Sequence, residues 1–388
     1  MIYWILHKRL TETDWNSVVE GFPGYFWNHF ADFKFLDLYT FSYYARLENA
    51  LQPEVYKNYK DYADFGAKYI RISTDRELSR FLSSCTKEDL FVFQSASNLR
   101  GLLLLKHLNK RGFRSVVLNI MPLPRWAAKK EKKTLRSFIL QCKKYYFKAI
   151  VRLTKLSLGN RLYFDYEFCC GKKAHENLTA RIRIKSIVPV HSVSYDEYLA
   201  LENQGKPEVS DMKAPYFVFV DQALTLHPDG ARNFREEGKQ KYHAELLWAL
   251  QYIKDNCKTE IVVAEHPRIQ YDQDFWHGFR TVRGETDAMI RNAAVVIGHF
   301  STSLHLAHLC GKEIFLLHSS GDYFPYNEIV MKTSAMIGGK LLDMGDLRAG
   351  FTQVDGTASL TDWYTLLPDS KKSNQELMED FFRQKLGL

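Results

Sequence analysis

No run of about eighteen or more apolar residues occurs anywhere in the chain, so no membrane-spanning helix is expected. The apolar start, Ile2–Leu6, is too short for a secretory leader, and Lys8-Arg9 falls on the wrong side of it. It reads as a first β-strand, and the expected location is cytoplasmic. There is no CxxC pair among Cys85, Cys142, Cys169, Cys170, Cys257 and Cys310. That excludes the common zinc frameworks and a disulfide scaffold, and it fits a reducing compartment. No Gly/Ser linker, low-complexity tract or internal repeat is found. Neither sign of charge dominates strongly: 53 basic against 45 acidic residues leave a net charge of +8.

What is present is a chain of 388 residues rich in aromatics, with 26 Phe, 22 Tyr and 7 Trp. That length suits two α/β domains better than one core. Asp89–Gln94 reads as a strand, Leu99–Lys110 as a helix stopped by Gly112, and Ser115–Ile120 as the next strand. This βαβ unit implies a parallel sheet. Leu162–Phe168 is a further strand, and Ile182–Pro189 leads on from it. The break signals Asn203-Gln204-Gly205-Lys206-Pro207 set an expected boundary, with a first domain over residues 1–205 and a second over 215–360. The second half repeats the rhythm. Strands are expected at Tyr216–Asp221, Glu260–Glu265, Ala293–Gly298 and Glu313–His318. Helices are expected at Gly238–Asn256, Thr286–Asn292 and Ser303–Cys310. Residues 361–388 form a helical segment expected to pack back on the first domain. Two Rossmann-like domains bind ligands beyond the carboxyl ends of their strands.

Three constellations fall at such strand ends. In Gly298-His299-Phe300-Ser301-Thr302-Ser303, three hydroxyl residues open a helix, where free N–H groups and the helix dipole favour an anion. Plain N-capping needs only one of them, so phosphate binding is favoured. In Glu265-His266-Pro267-Arg268, His266 can bond a phosphate or protonate a leaving group, and Arg268 can pair with phosphate bidentately. The bland alternative is a histidine that caps the sheet edge. Asp221, before Gln222, can act as base, nucleophile or stabiliser of a cationic sugar carbon; equally, it can cap the following turn. His227 and Asp229 read as shaping the loop. In the first half, Gln94–Ser97 is a strand-end turn. Asp165 and Glu167, two apart on a strand, share a face.

The stretch Thr286–Ser303, followed by Gly311-Lys312-Glu313-Ile314 and taken with His266-Pro267, resembles the nucleotide-binding half of bacterial surface-polysaccharide GT-B glycosyltransferases. The resemblance is to those using CMP-activated acidic sugars, namely sialyltransferases and Kdo transferases. Asp221-Gln222 and His227-Pro228-Asp229 look closest to the retaining β-Kdo transferases. It covers residues 215–320; the first half matches in architecture only. The resemblance implies an α/β GT-B fold with two Rossmann-like domains facing a central cleft, and a peripheral, polysaccharide-building enzyme. It implies a CMP-sugar donor, a glycan or lipid-linked glycan acceptor, no cofactor and no metal. His266, Pro267, Ser301, Thr302 and Ser303 would hold the CMP phosphate, with Arg268 and His299 beside them and Glu285 reaching the ribose. Asp221 would be the nucleophile, His266 would assist, and Glu167 is the first-domain carboxylate. The alternatives are an inverting sialyltransferase-like enzyme, a UDP- or GDP-sugar or polyol-phosphate transferase, and a non-catalytic scaffold.

Residues 124–158 carry a helical pattern with Leu135, Phe138, Ile139, Cys142 and Tyr146 on one face. The other face has Lys129, Lys130, Lys132, Lys133, Arg136, Lys143, Lys144, Lys148, Arg152 and Lys155, opposed only by Glu131. A solvated face normally mixes signs. An anionic membrane surface is therefore the favoured partner of Arg125–Lys155, over a plain solvated face, and no nucleic-acid role is expected.

Overall fold

The computed structural model describes residues 1–6, 32–38, 69–94, 99–120, 162–179, 182–204, 215–231, 233–267 and 269–387. They form two compact units. Val190 closes the main part of the first, His191–Tyr364 belong to the second, and Thr365 onward returns to the first.

The first unit holds a seven-stranded sheet. Its strands are β1 Ile2–Leu6, β2 Phe33–Asp37, β3 Tyr69–Arg71, β4 Leu90–Phe93, β5 Arg114–Asn119, β6 Tyr163–Cys169 and β7 Arg183–Pro189. Their order is β3-β2-β1-β4-β5-β6-β7, and every neighbouring pair is parallel. The central strands β1 and β4 are buried on both faces. That is why they read as unbroken apolar runs without alternation. The helix Asp75–Ser84 begins with a capping box: Thr74 Oγ1 accepts from Glu77 N, and Glu77 Oε2 accepts from Thr74 N. The helix Leu99–Arg111 ends before Gly112, whose φ of +74° suits the left-handed exit. At the far end of the chain, Ser373 and Glu376 form a second capping box on the helix Asn374–Leu386. Its Met378, Phe381 and Phe382 are buried beside Ile2, Trp4, Phe33 and Phe168. The C-terminal helix thus completes the core of the first unit.

The second unit repeats this order with β8 Phe217–Val220, β9 Ile261–Glu265, β10 Arg280–Arg283, β11 Val295–Gly298, β12 Glu313–His318, β13 Gly339–Asp343 and β14 Phe351–Val354. Across the sheet they run β10-β9-β8-β11-β12-β13-β14. Only β14 is antiparallel to its neighbour. Tyr242, Leu246, Ala249, Leu250 and Ile253 are the buried stripe of the helix Glu236–Cys257, at the three- and four-residue spacing of one helical face. Each sheet therefore has the 3-2-1-4-5-6 strand order of a Rossmann-like, doubly wound fold. The expected α/β class is what the chain adopts.

The boundary lies elsewhere than the turn signals suggested. The helix Val193–Gln204 runs into the expected break, and the division between the units falls before it, at Val190/His191. That helix belongs to the second unit, because Tyr195, Leu199 and Leu201 are buried in its core. Ser194 Oγ also donates to Thr302 O at 3.3 Å. The edge strands β3, β10 and β14 carried no clear sequence signal: each is short and half-exposed. The basic stretch Arg125–Lys155 lies outside the described residues.

Candidate functional site

In the second unit, strand order reverses between β8 and β11. The loops leaving these two strands must part there, and a crevice opens at their carboxyl ends. Asp221 and Gln222 follow β8, and His299, Phe300 and Ser301 follow β11. Gln222 Oε1 accepts from Phe300 N at 3.0 Å, tying the two loops together.

The helix Thr302–Leu309 starts at this crevice. Ser301 is its N-cap, with Oγ accepting from Ser303 N at 3.2 Å. Leu304 N donates to Ser301 O at 3.1 Å. Capping is thus real here and takes up one hydroxyl of the three. The N–H groups of Ser301 and Thr302 have no partner among the described residues. Thr302 is exposed, and Ser303 is half-buried. Two unclaimed amides at a helix start, with hydroxyls alongside, are what an anionic oxygen needs. Gly298 permits the close approach of this helix. A Cβ on it would stand 3.1 Å from Leu304 Cδ2.

On the other side of β8, His266 and Pro267 follow β9. Tyr271 organises this turn. Its hydroxyl donates to Asp221 Oδ2 and accepts from His266 N at 3.2 Å. Asp221 Oδ1 meanwhile accepts from Ala223 N at 2.8 Å. Ala223 has φ of +47°, an unusual value for a residue with a Cβ. Burial pushes the Asp221 carboxyl above its ordinary range, partly offset by bonds from the Tyr271 hydroxyl and the Ala223 and His266 amides. Burial, with Asp221 beside it, likewise raises Tyr271. The His266 and His227 rings lie 5.3 Å apart between centroids. Next to them, Arg283 pairs with Glu265 at 3.0 Å and donates to Ile269 O at 2.7 Å. Arg268 lies outside the described residues.

Set against the expectations, Asp221, His266, Pro267, Ser301, Thr302 and Ser303 all come to one sheet edge. Asp221, however, is only 7% exposed, and both its oxygens already accept bonds. It holds the β8 and β9 turns together and is not presented as a nucleophile. His299 departs further from expectation. It is fully buried, with Nε2 against Tyr242 Oη at 2.9 Å and Nδ1 against Leu317 O at 2.7 Å. Burial drops its pKa to about 4. It braces the end of β11 against β12 and the helix Glu236–Cys257. Glu285 stands at the N-cap of the helix Thr286–Asn292, which packs against Thr302–Leu309. It therefore lies on the flank of the crevice.

Sequence reading missed Tyr271. Nothing marks a tyrosine five residues past a histidine until folding stacks the two turns. It also left Gln222 as a mere neighbour of Asp221, although an amide side chain at a strand end is suited to clasping a facing backbone N–H.

In the first unit, Glu167 near the end of β6 is fully buried. It accepts from Asn119 Nδ2 at 2.7 Å and lies 2.5 Å from His175 Nδ1. Asp165, two residues earlier on β6, is taken up by Ser115 N at 3.0 Å and Lys185 Nζ at 2.8 Å. His175, its ring 29% exposed, is the partner that sequence reading did not anticipate. Gln94 is exposed, and Ser95–Ser97 lie outside the described residues.

No protein-family model and no curated protein matches the chain in sequence. Solved structures overlap it at low identity. A UDP-GlcNAc 2-epimerase from Methanocaldococcus jannaschii in complex with UDP-GlcNAc and UDP shares 13% identity at a TM-score of 0.45, covering 98% of this chain and 99% of that one. MnaA of S. aureus with UDP shares 10% at 0.47, covering 100% and 97%. The wall teichoic acid polymerase TagF shares 11% at 0.38, covering 98% and 82%. At such values they assign this chain no activity.

Proposed function

We propose that the chain is a GT-B glycosyltransferase whose second unit binds the nucleotide-sugar donor, with a CMP-activated 3-deoxy acidic sugar of the Kdo type as donor and a surface glycan as acceptor. The observation that carries it is the pairing of two features at the β8/β11 switch point. One is the Ser301-Thr302-Ser303 helix start with its two unclaimed amides. The other is His266, held at the next strand end through Tyr271. Such a crevice offers amides, hydroxyls and an imidazole to a phosphate and needs no metal. As the glycosidic C–O bond to phosphate breaks, charge gathers on the departing nucleotide. Preorganised amides aimed there lower the barrier. In this reading His266 donates to a phosphate oxygen. Asp221 acts on the sugar only at one remove, by fixing the His266 turn. That placement gives no support to retention through an Asp221-linked intermediate. The basic stretch Arg125–Lys155 supports a peripheral site on an anionic leaflet, where a lipid-linked acceptor would wait.

A nucleotide melt tests the donor site. CMP at a hundredfold excess over its Kd stabilises the folded form by about 2.7 kcal/mol, roughly 5–10 °C for a unit of this size. Ser301→Asp keeps a good N-cap but sets a negative charge against the phosphate. It should melt like wild type without nucleotide and lose the CMP shift. A shift that survives in Ser301→Asp sinks the phosphate cradle, and a shift with UDP but not CMP reassigns the donor.

A further inference from the structure

We propose that Glu167, Cys169 and His175 form a binding site for a zinc-class divalent cation in the first unit. The carboxylate oxygen, the sulfur and the ring nitrogen all lie within 4.8 Å of one another. Tetrahedral zinc, with bonds of about 2.0–2.3 Å, sets its donors about 3.3–3.6 Å apart. A side-chain movement of roughly an ångström therefore closes the site.

The local fold brings the donors together. Glu167 and Cys169 are two apart on β6, so they share a face. Gly171 turns the chain, and its carbonyl accepts both from Cys169 Sγ at 3.2 Å and from His175 N at 3.0 Å. His175 then reaches back from the helix Lys172–Thr179. Glu167 and Cys169 are fully buried, whereas the His175 ring is 29% exposed. The cation can enter on the His175 side.

The chemistry selects the ion. A sulfur donor beside imidazole and a single carboxylate suits zinc or cobalt and disfavours magnesium and calcium, which take oxygen shells. The charges of Glu167 and a Cys169 thiolate sum to cancel that of the dication, so the loaded site is neutral in a buried place. Asn119, donating to Glu167 at 2.7 Å, supplies the outer bond that orients a ligating carboxylate. On loading, the Cys169 S–H bond breaks, an S–metal bond forms and the proton leaves to solvent. Three protein donors leave a fourth position for water or a substrate oxygen. The proposal does not depend on the glycosyltransferase reading.

The test uses the full chain stripped with a chelator. Titration against a chromophoric zinc competitor should show about one equivalent bound. Cobalt should give a thiolate-to-metal charge-transfer band in the near ultraviolet. That band should vanish in Cys169→Ser, and zinc affinity should fall at least tenfold in His175→Gln. Circular dichroism checks folding. If buried Cys169→Ser does not fold, His175→Gln decides. No zinc uptake by wild type overturns the proposal, and so does uptake that His175→Gln leaves unchanged.

Discussion

Tyr271 carries more of the second unit's site than any residue singled out by its type. Its hydroxyl serves Asp221 and the His266 amide together. Tyr271→Phe removes it without changing the ring packing. A buried carboxylate then loses one donor, at a cost of about 1–3 kcal/mol. The His266 turn also loosens. Urea unfolding should show that loss, and the CMP-induced melting shift should shrink in parallel. A variant with both wild-type stability and the full nucleotide shift would remove Tyr271 from the site. Two other buried residues set a pH dependence. Burial lowers both His299 and His305 from 6.5 to about 4. Between those values the unfolded chain binds more protons, so this contribution is complete above pH 6.5 and drains as pH falls toward 4. Glu197, raised by burial to about 7, works in the opposite sense. The measurement is therefore a difference between proteins. Between about pH 7.5 and 5, wild type should lose about 2 kcal/mol more than His305→Asn. Equal losses would show that His305 is not held neutral.

At the scale of the element, the helix Thr302–Leu309 depends on how closely it lies against β11. Gly298→Val places branched carbon where Leu304 now sits, since even a Cβ comes within 3.1 Å of it. Overpacking of this kind costs about 1–3 kcal/mol, and it displaces the amides that face the crevice. The expected result is a modest fall in melting temperature with a larger fall in CMP affinity, read by calorimetric titration. Unchanged affinity would mean that the helix start does not bind the nucleotide. Most elements at this scale were legible from the sequence. Val295–Gly298, Glu313–His318 and Thr286–Asn292 sit where their apolar runs and caps predict. The edge strands β3, β10 and β14 were not legible, because a half-exposed strand of three or four residues has too little pattern to stand out.

At the scale of the molecule, each unit has its own core. The first is built on β1 and β4 with Met378, Phe381 and Phe382 from the terminal helix. The second is built on β8, β9 and β11. Separate cores melt separately unless strongly coupled. Phe382→Ala, at a fully buried position, should cost the first unit about 3–5 kcal/mol. Scanning calorimetry should then show one transition moved down, and CMP should raise the other. A single transition that both changes move together would show that the units unfold as one.

The sequence by itself determined the two-sheet α/β plan. Apolar runs, glycine exits and capping residues are local signals, and local physics reads them. It also placed His266 and Ser301–Ser303 at strand ends, since strand and turn are adjacent in the chain. Tertiary structure decided the rest. It made Asp221 a clamp, buried His299, paired Glu167 with His175, and moved the boundary to residue 190. The first three turn on which groups meet in space, from Glu167 and His175, 8 residues apart, to Tyr242 and His299, 57 apart. No periodicity along the chain encodes such meetings.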